Sequence, residues 1–230
     1  MLCLIVGLVM GSVAFLLDLL VEFLINSKWE ATQIVAQSGG NTPLLGWAVV
    51  LLISLTYAFI ATAITAYISP PALGSGVAET MGILNGVMYP DFITLRAFLV
   101  KFFGVALAVS AGLTIGKEGP LVHMGAIVGC ATPYLPFGFA KYFRNDFEKR
   151  KLISVGVAAG VSAAFGAPIG GALFSYEISK PNTFWSFSLT WKVFFASTIA
   201  TFTLSLFKQL YLGIDPITVS NSNIIKLGTT

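Results

Sequence analysis

Between Glu30 and Glu79 the chain carries no charged residue. A helix crosses a bilayer with about 20 apolar residues, so the part of this stretch from Pro43 to Ser69 reads as a complete membrane span. The same pattern recurs along the chain. Met1–Ile25 is apolar except for Asp18 and Glu22, and Phe92–Ile115 is interrupted by Arg96 and Lys101. Pro120–Ala140 and Leu152–Tyr176 follow, and Phe184–Phe207 is interrupted by Lys192. Only 10% of the 230 residues are charged and 56% are hydrophobic, against about 25% charged in a soluble domain. So few charges cannot cover a water-soluble surface. The fold class expected is an all-α integral, multi-pass membrane protein; which membrane, and in which orientation, the sequence leaves open.

Composition also narrows the function classes. A net charge of +3 from 13 basic and 10 acidic residues gives no electrostatic footprint for nucleic acid. Lys141, Arg144, Lys149, Arg150 and Lys151 cluster as a solvated loop between spans. Cys3 and Cys130 sit in apolar runs and read as small free hydrophobes. His123 has no partner motif and reads as a hydrogen-bonded interior residue one or two turns into a helix. No metal-ligand spacing and no nucleophile–base–orienter set is present, so neither metal nor cofactor nor enzyme chemistry is expected. Met1 leads into its apolar run without a positive n-region, which favours a first span over a cleaved signal. Trp29, Trp185 and Trp191 lie near span ends, where aromatic belts form. The polar segment Gly213–Thr230 is expected outside the membrane.

Three segments break the apolar pattern. In lipid every freed N–H and C=O needs a partner, so irregular backbone marks buried or cavity-lining positions and points to ion sites. The first is Pro70-Pro71-Ala72-Leu73-Gly74-Ser75-Gly76-Val77-Ala78-Glu79. Two prolines end a span, and Ser75 is placed to N-cap a short helix. A helix start presents free N–H groups and partial positive charge to an anion. Ser75 adds a neutral hydroxyl, which can hold an anion without a fixed positive charge that traps it. A capped turn without a ligand fits the same spacing.

The second break is Gly116-Lys117-Glu118-Gly119-Pro120. Pro120 suits a first helical turn, and the glycines let backbone N–H groups approach a ligand. Glu118 at that start can mimic a bound anion, block the site, and leave on protonation. The alternative is that Glu118 caps the helix and pairs with Lys117. In the third, Phe165-Gly166-Ala167-Pro168 followed by Gly170-Gly171, two short helices meet at the break. Gly156-Val157-Ala158-Ala159-Gly160 just before it has helix-packing spacing. This third segment reads as packing, with Glu177 hydrated near an interface.

In this order and between apolar spans, the three segments resemble the CLC family of chloride channels and chloride/proton exchangers. The resemblance covers the chain to about Leu212. It implies a CLC-type bundle of tilted and broken helices, first inverted repeat only: residues 1–212 would be the N-terminal half of the membrane domain, and 213–230 a tail or the start of a connection to a second half. It implies chloride as the transported ion, bound by Ser75 and Gly76 and by the backbone around Lys117, Glu118 and Gly119, with Glu118 as the gate. Ser75 matches the chloride-preferring form; a proline there marks nitrate preference. Val77-Ala78 stands where many members have Ile-Pro. Exchangers usually carry two adjacent acids after the third motif. Glu177 matches the first, but Ile178 replaces the second, the proton glutamate. That tilts the expectation to a passive, voltage-gated-type channel, with the exchanger as the alternative. The resemblance also implies a homodimer through Pro168–Lys180 and Phe184–Phe207. The second repeat lies outside these residues, so a non-conducting fragment needing another half is a further reading.

Overall fold

The computed structural model describes residues 1–38, 43–135, 145–179 and 185–212. These form eight α-helices: α1 Leu2–Ser38, α2 Pro43–Ile68, α3 Val77–Leu84, α4 Leu95–Ser110, α5 Glu118–Ala131, α6 Asp146–Phe165, α7 Pro168–Ser179 and α8 Phe187–Leu212. The expected segment 213–230 lies outside the described residues, as do Lys141 and Arg144 of the basic cluster.

Three helices, α1, α2 and α8, are long and apolar enough to cross a membrane. The first does not stop near Ile25 as expected. It runs 37 residues to Ser38, about 55 Å at 1.5 Å per residue. No proline or glycine interrupts it after Gly11, so the helix continues through the polar stretch beyond Ile25. Helix α2 matches its expected span and turns large apolar groups outward, with Leu44 77%, Phe59 75% and Tyr67 89% exposed.

The third and fourth apolar stretches are not complete spans. Helix α4 has 16 residues and α5 has 14, about 24 and 21 Å long, against a hydrocarbon core of about 30 Å. Their ends have local causes. Thr94 caps α4 by accepting the Ala97 N–H at 3.1 Å. The chain leaves α4 through Gly112 at φ 87. Helix α5 closes in a 3-10 turn, Thr132–Tyr134, that contains Pro133.

The fifth stretch breaks where expected. Gly166 adopts φ 65, its N–H returns to the Ser162 carbonyl, and Pro168 opens α7. Only the second of the two helices is short, however: α6 has 20 residues and α7 has 12. The expected basic loop is corrected as well. Lys149, Arg150 and Lys151 form the first turns of α6, where Lys149 pairs with Asp146 at 3.2 Å and Lys151 with Glu148 at 2.6 Å. Acids at a helix start with bases one turn later favour helix over loop.

The core sits where α6 packs between α5, α1 and α8, and α6 is buried continuously from Leu152 to Ala163. Glycine permits this closeness. A Cβ on Gly125 or Gly129 of α5 would strike the carbonyls of Gly156 or Leu152, and one on Gly160 would strike that of Leu121. In α1, a Cβ on Gly7 would lie 2.7 Å from the Ala196 carbonyl and one on Gly11 2.6 Å from that of Ala200. The two interfaces are thus backbone-to-backbone contacts of the small-residue type. Cys3 and Cys130 are free and partly buried. Trp185 stacks edge-on to Tyr176 at 5.2 Å, while Trp29 and Trp191 are exposed.

Candidate functional site

The first broken segment leaves α2 through a 3-10 turn, Pro70–Ala72, and reaches α3 by two left-handed glycines, Gly74 at φ 71 and Gly76 at φ 81. Ser75 lies between them and is exposed. It is not the N-cap: Gly76 is, without a side-chain cap bond. The second left-handed turn delays the helix by one residue. The Ser75 hydroxyl still accepts from the Val77 N–H, at 3.3 Å, and stays at the mouth of the helix start. Thr80 donates to the Gly76 carbonyl at 2.6 Å.

A feature that sequence reasoning passed over holds this loop. Lys101 of α4, noted only as an interruption of an apolar run, is 2% exposed. Its ammonium donates to the carbonyls of Ala72 at 2.7 Å and Gly74 at 2.8 Å. The available signal was an uncompensated lysine inside an apolar helix, which is costly unless it has partners.

The second segment begins α5 at Glu118, with Lys117 as its N-cap residue. Glu118 is half-buried, and its carboxylate folds back over Gly116, where any Cβ would overlap it. Gly116 therefore has to be glycine for the carboxylate to lie at the helix start. Lys117 turns elsewhere: it donates to Asp18 of α1, whose second oxygen accepts from Lys208 of α8 at 2.7 Å. The alternative in which Lys117 pairs with Glu118 is not among the described ion pairs.

The fold brings the first two segments together. A Cβ on Gly119 would lie 2.6 Å from the Cβ of Ser75, and one on Gly76 2.8 Å from the Cβ of His123. Helices α3 and α5 thus start side by side at the Ser75–Gly119 contact, and the Glu118 carboxylate lies over Gly116 just before the α5 start. Two helix starts and a neutral hydroxyl suit an anion; a carboxylate beside them competes for the same charge. His123 is fully buried, as expected. It stacks on Phe92 at 3.7 Å, and its Nε2–H donates to the Phe92 carbonyl at 2.9 Å.

The third segment joins α6 and α7, both of which pack against α3. Glu177 is exposed on α7. Ile178 is 6% exposed and belongs to the hydrophobic core. A Cβ on Gly171 would lie 2.6 Å from the Ala158 carbonyl, which packs α7 against α6. Among the described residues there is no cluster of His, Cys, Asp or Glu that could hold a metal ion.

Comparison with known proteins places this architecture. The family model described as "Voltage gated chloride channel" matches residues 57–227. The chain therefore belongs to the voltage-gated chloride channel (CLC) family of integral membrane proteins. It is 39% identical over 223 residues to the H(+)/Cl(-) exchange transporter 7 of Homo sapiens, covering 92% of this chain and 27% of that protein. It is likewise 39% identical over 217 residues to Chloride channel protein C of Dictyostelium discoideum, covering 90% of this chain and 28% of that protein. The chain thus spans about a quarter of the length of these relatives. A crystal structure of a slow cyanobacterial Cl-/H+ antiporter superposes with a TM-score of 0.74 at 28% identity, covering 89% of this chain and 45% of that one. A eukaryotic CLC transporter shares the fold with a TM-score of 0.75 at 24% identity, covering 89% of this chain and 38% of that one.

Proposed function

We propose that the chain supplies the half of a chloride pathway at which α3 and α5 begin, with Glu118 as its gate, in a transporter that exchanges chloride for protons. The observation that carries the pathway is the contact of Gly119 with Ser75 beside a carboxylate folded over Gly116. Chloride is the ligand, bound by the Ser75 hydroxyl, by Gly76 and by the backbone N–H groups of Lys117, Glu118 and Gly119. The Glu118 carboxylate occupies the same place in its charged form. The exchange reading draws its support from the relatives, several of which are named H(+)/Cl(-) exchangers. It replaces passive conduction as the leading reading.

One residue favours the passive reading: Ile178. An isoleucine buried in the core cannot accept a proton, and the neighbouring Glu177 lies on the surface. A membrane segment that conducts only with a second half is a further reading, to be separated by experiment. Dimerisation through α7 and α8 is part of the proposal. Ile169, Leu173 and Phe202, each more than 60% exposed, are the apolar groups it would cover.

The test is reconstitution of the chain into liposomes with a chloride gradient and a pH-sensitive dye inside. Chloride-driven proton movement against a proton gradient is expected. Chloride flux without proton movement supports the passive reading instead. Absence of flux until a second half is supplied supports the fragment reading.

A further inference from the structure

The loop that carries Ser75 rests on a buried cation. Lys101 is 2% exposed, and its ammonium bonds to the carbonyls of Ala72 and Gly74 at 2.7 and 2.8 Å. It is absent from the described ion pairs. The acid whose field reaches it is Glu79, in the first turn of α3. A buried ammonium held by carbonyl dipoles is only partly compensated, because dipoles return less than a counter-ion does.

What lies across the loop completes the balance. The Gly74–Ser75 peptide is trans, so its C=O and N–H point in opposite directions. With the carbonyl drawn to Lys101, the Ser75 N–H is turned to the other side, where Ser75 is exposed. An anion at the Ser75 hydroxyl therefore lies one peptide away from the ammonium, on the positive end of a dipole that the ammonium polarises.

We infer that Lys101 is the counter-charge of the anion site at Ser75, acting through the Gly74–Ser75 peptide without touching the ion. The inference rests on the chloride reading proposed above and deepens it. Because the charge is set back behind two carbonyls, it raises anion occupancy without the tight grip that a contacting cation would exert, which conduction requires. Because it acts as a net charge, it favours all monovalent anions alike. Choice among them stays with the Ser75 contact. Lys101 is thus a positioning and electrostatic residue.

The experiment is isothermal titration of the full purified chain in detergent with chloride, bromide and nitrate. Lys101→Met is expected to weaken all three by roughly tenfold to a hundredfold, the size of one unit charge removed at about 6–12 Å at the effective dielectric of a protein interior. Lys101→Gln keeps donors for the carbonyls but not the charge, and is expected to match it; it carries the comparison if the methionine variant does not fold. Lys101→Arg keeps the charge and is expected to stay within about threefold of the unmodified chain. In all three variants the order of preference among the anions is unchanged, whereas Ser75→Ala alters it. Chloride affinity in Lys101→Gln equal to that of the unmodified chain overturns the inference. So does a changed preference order, which would make Lys101 a scaffold for the loop only. If the unmodified chain binds none of the three anions, the chloride reading itself is what falls, and this inference falls with it.

Discussion

Ser75 and Gly119 touch: a Cβ on Gly119 would lie 2.6 Å from the Cβ of Ser75. That one contact joins two motifs that are remote along the chain and sets the starts of α3 and α5 against each other. It also gives Gly119 a role beyond backbone freedom, since the missing side chain is the space that Ser75 occupies.

Gly119→Ala is therefore expected to push Ser75 off the junction. Overpacking of this kind costs about 1–3 kcal/mol. Because the obstacle is a Cβ with backbone beneath it, the strain cannot be shed by a rotamer change. The outcome to measure is chloride binding by titration calorimetry together with thermal unfolding in detergent. Affinity should fall by more than the loss of stability alone explains.

Gly116→Ala tests the gate from the other side. There the obstacle is the far end of the Glu118 side chain, which can move. The substitution should displace the carboxylate and mimic Glu118→Ala, giving greater chloride flux in liposomes with little change in melting temperature. A flux equal to that of the unmodified chain would remove the carboxylate from the site.

Glu118→Gln addresses pH. In the proposed gating role the charged carboxylate blocks the anion site, so flux through the complete pathway should depend on pH. The amide is permanently neutral, and flux in the variant should be high and nearly flat with pH. An equally steep pH profile in the variant would show that another group gates.

Asp18→Asn attacks the support of the α5 start. Asp18 holds Lys117 and Lys208 together, and without its charge two ammonium groups face each other. These groups are 20–32% exposed, so a loss of about 1–3 kcal/mol is expected. Lys208→Met leaves the Lys117–Asp18 pair intact and should cost less. Melting curves in detergent rank the two variants.

Ile178→Glu bears on proton coupling. It places an acid where the core now holds an isoleucine 6% exposed, so some stability is lost. If the passive reading is right, the new acid should add proton movement to chloride flux in the dye assay. If exchange already operates, coupled proton movement is present before the substitution.

Much of this was legible in the apolar pattern. A chain with so few charges must sit in lipid, and Gly166 followed by Pro168 must break a helix, because neither the left-handed turn nor the proline ring fits a continuous one. Helix lengths were less legible. The sequence does not reveal that α4 and α5 stop short, because a Thr94 cap and a terminal 3-10 turn look like any polar or proline residue at the edge of an apolar run. The cap at Ser75 was misplaced by one residue, since two alternating glycines allow the helix to start after either.

The sequence by itself determined the solvent, the broken helices and the residue types at the proposed anion site. These depend on composition and on backbone geometry that neighbours in the chain impose. Tertiary structure decided which residues meet. That Ser75 rests on Gly119, that Lys101 grips the carbonyls before Ser75, and that Lys117 turns to Asp18 and not to Glu118 all depend on helices packed at glycine contacts. Close packing is set by the shapes of surfaces far apart in sequence, and no local pattern carries that information.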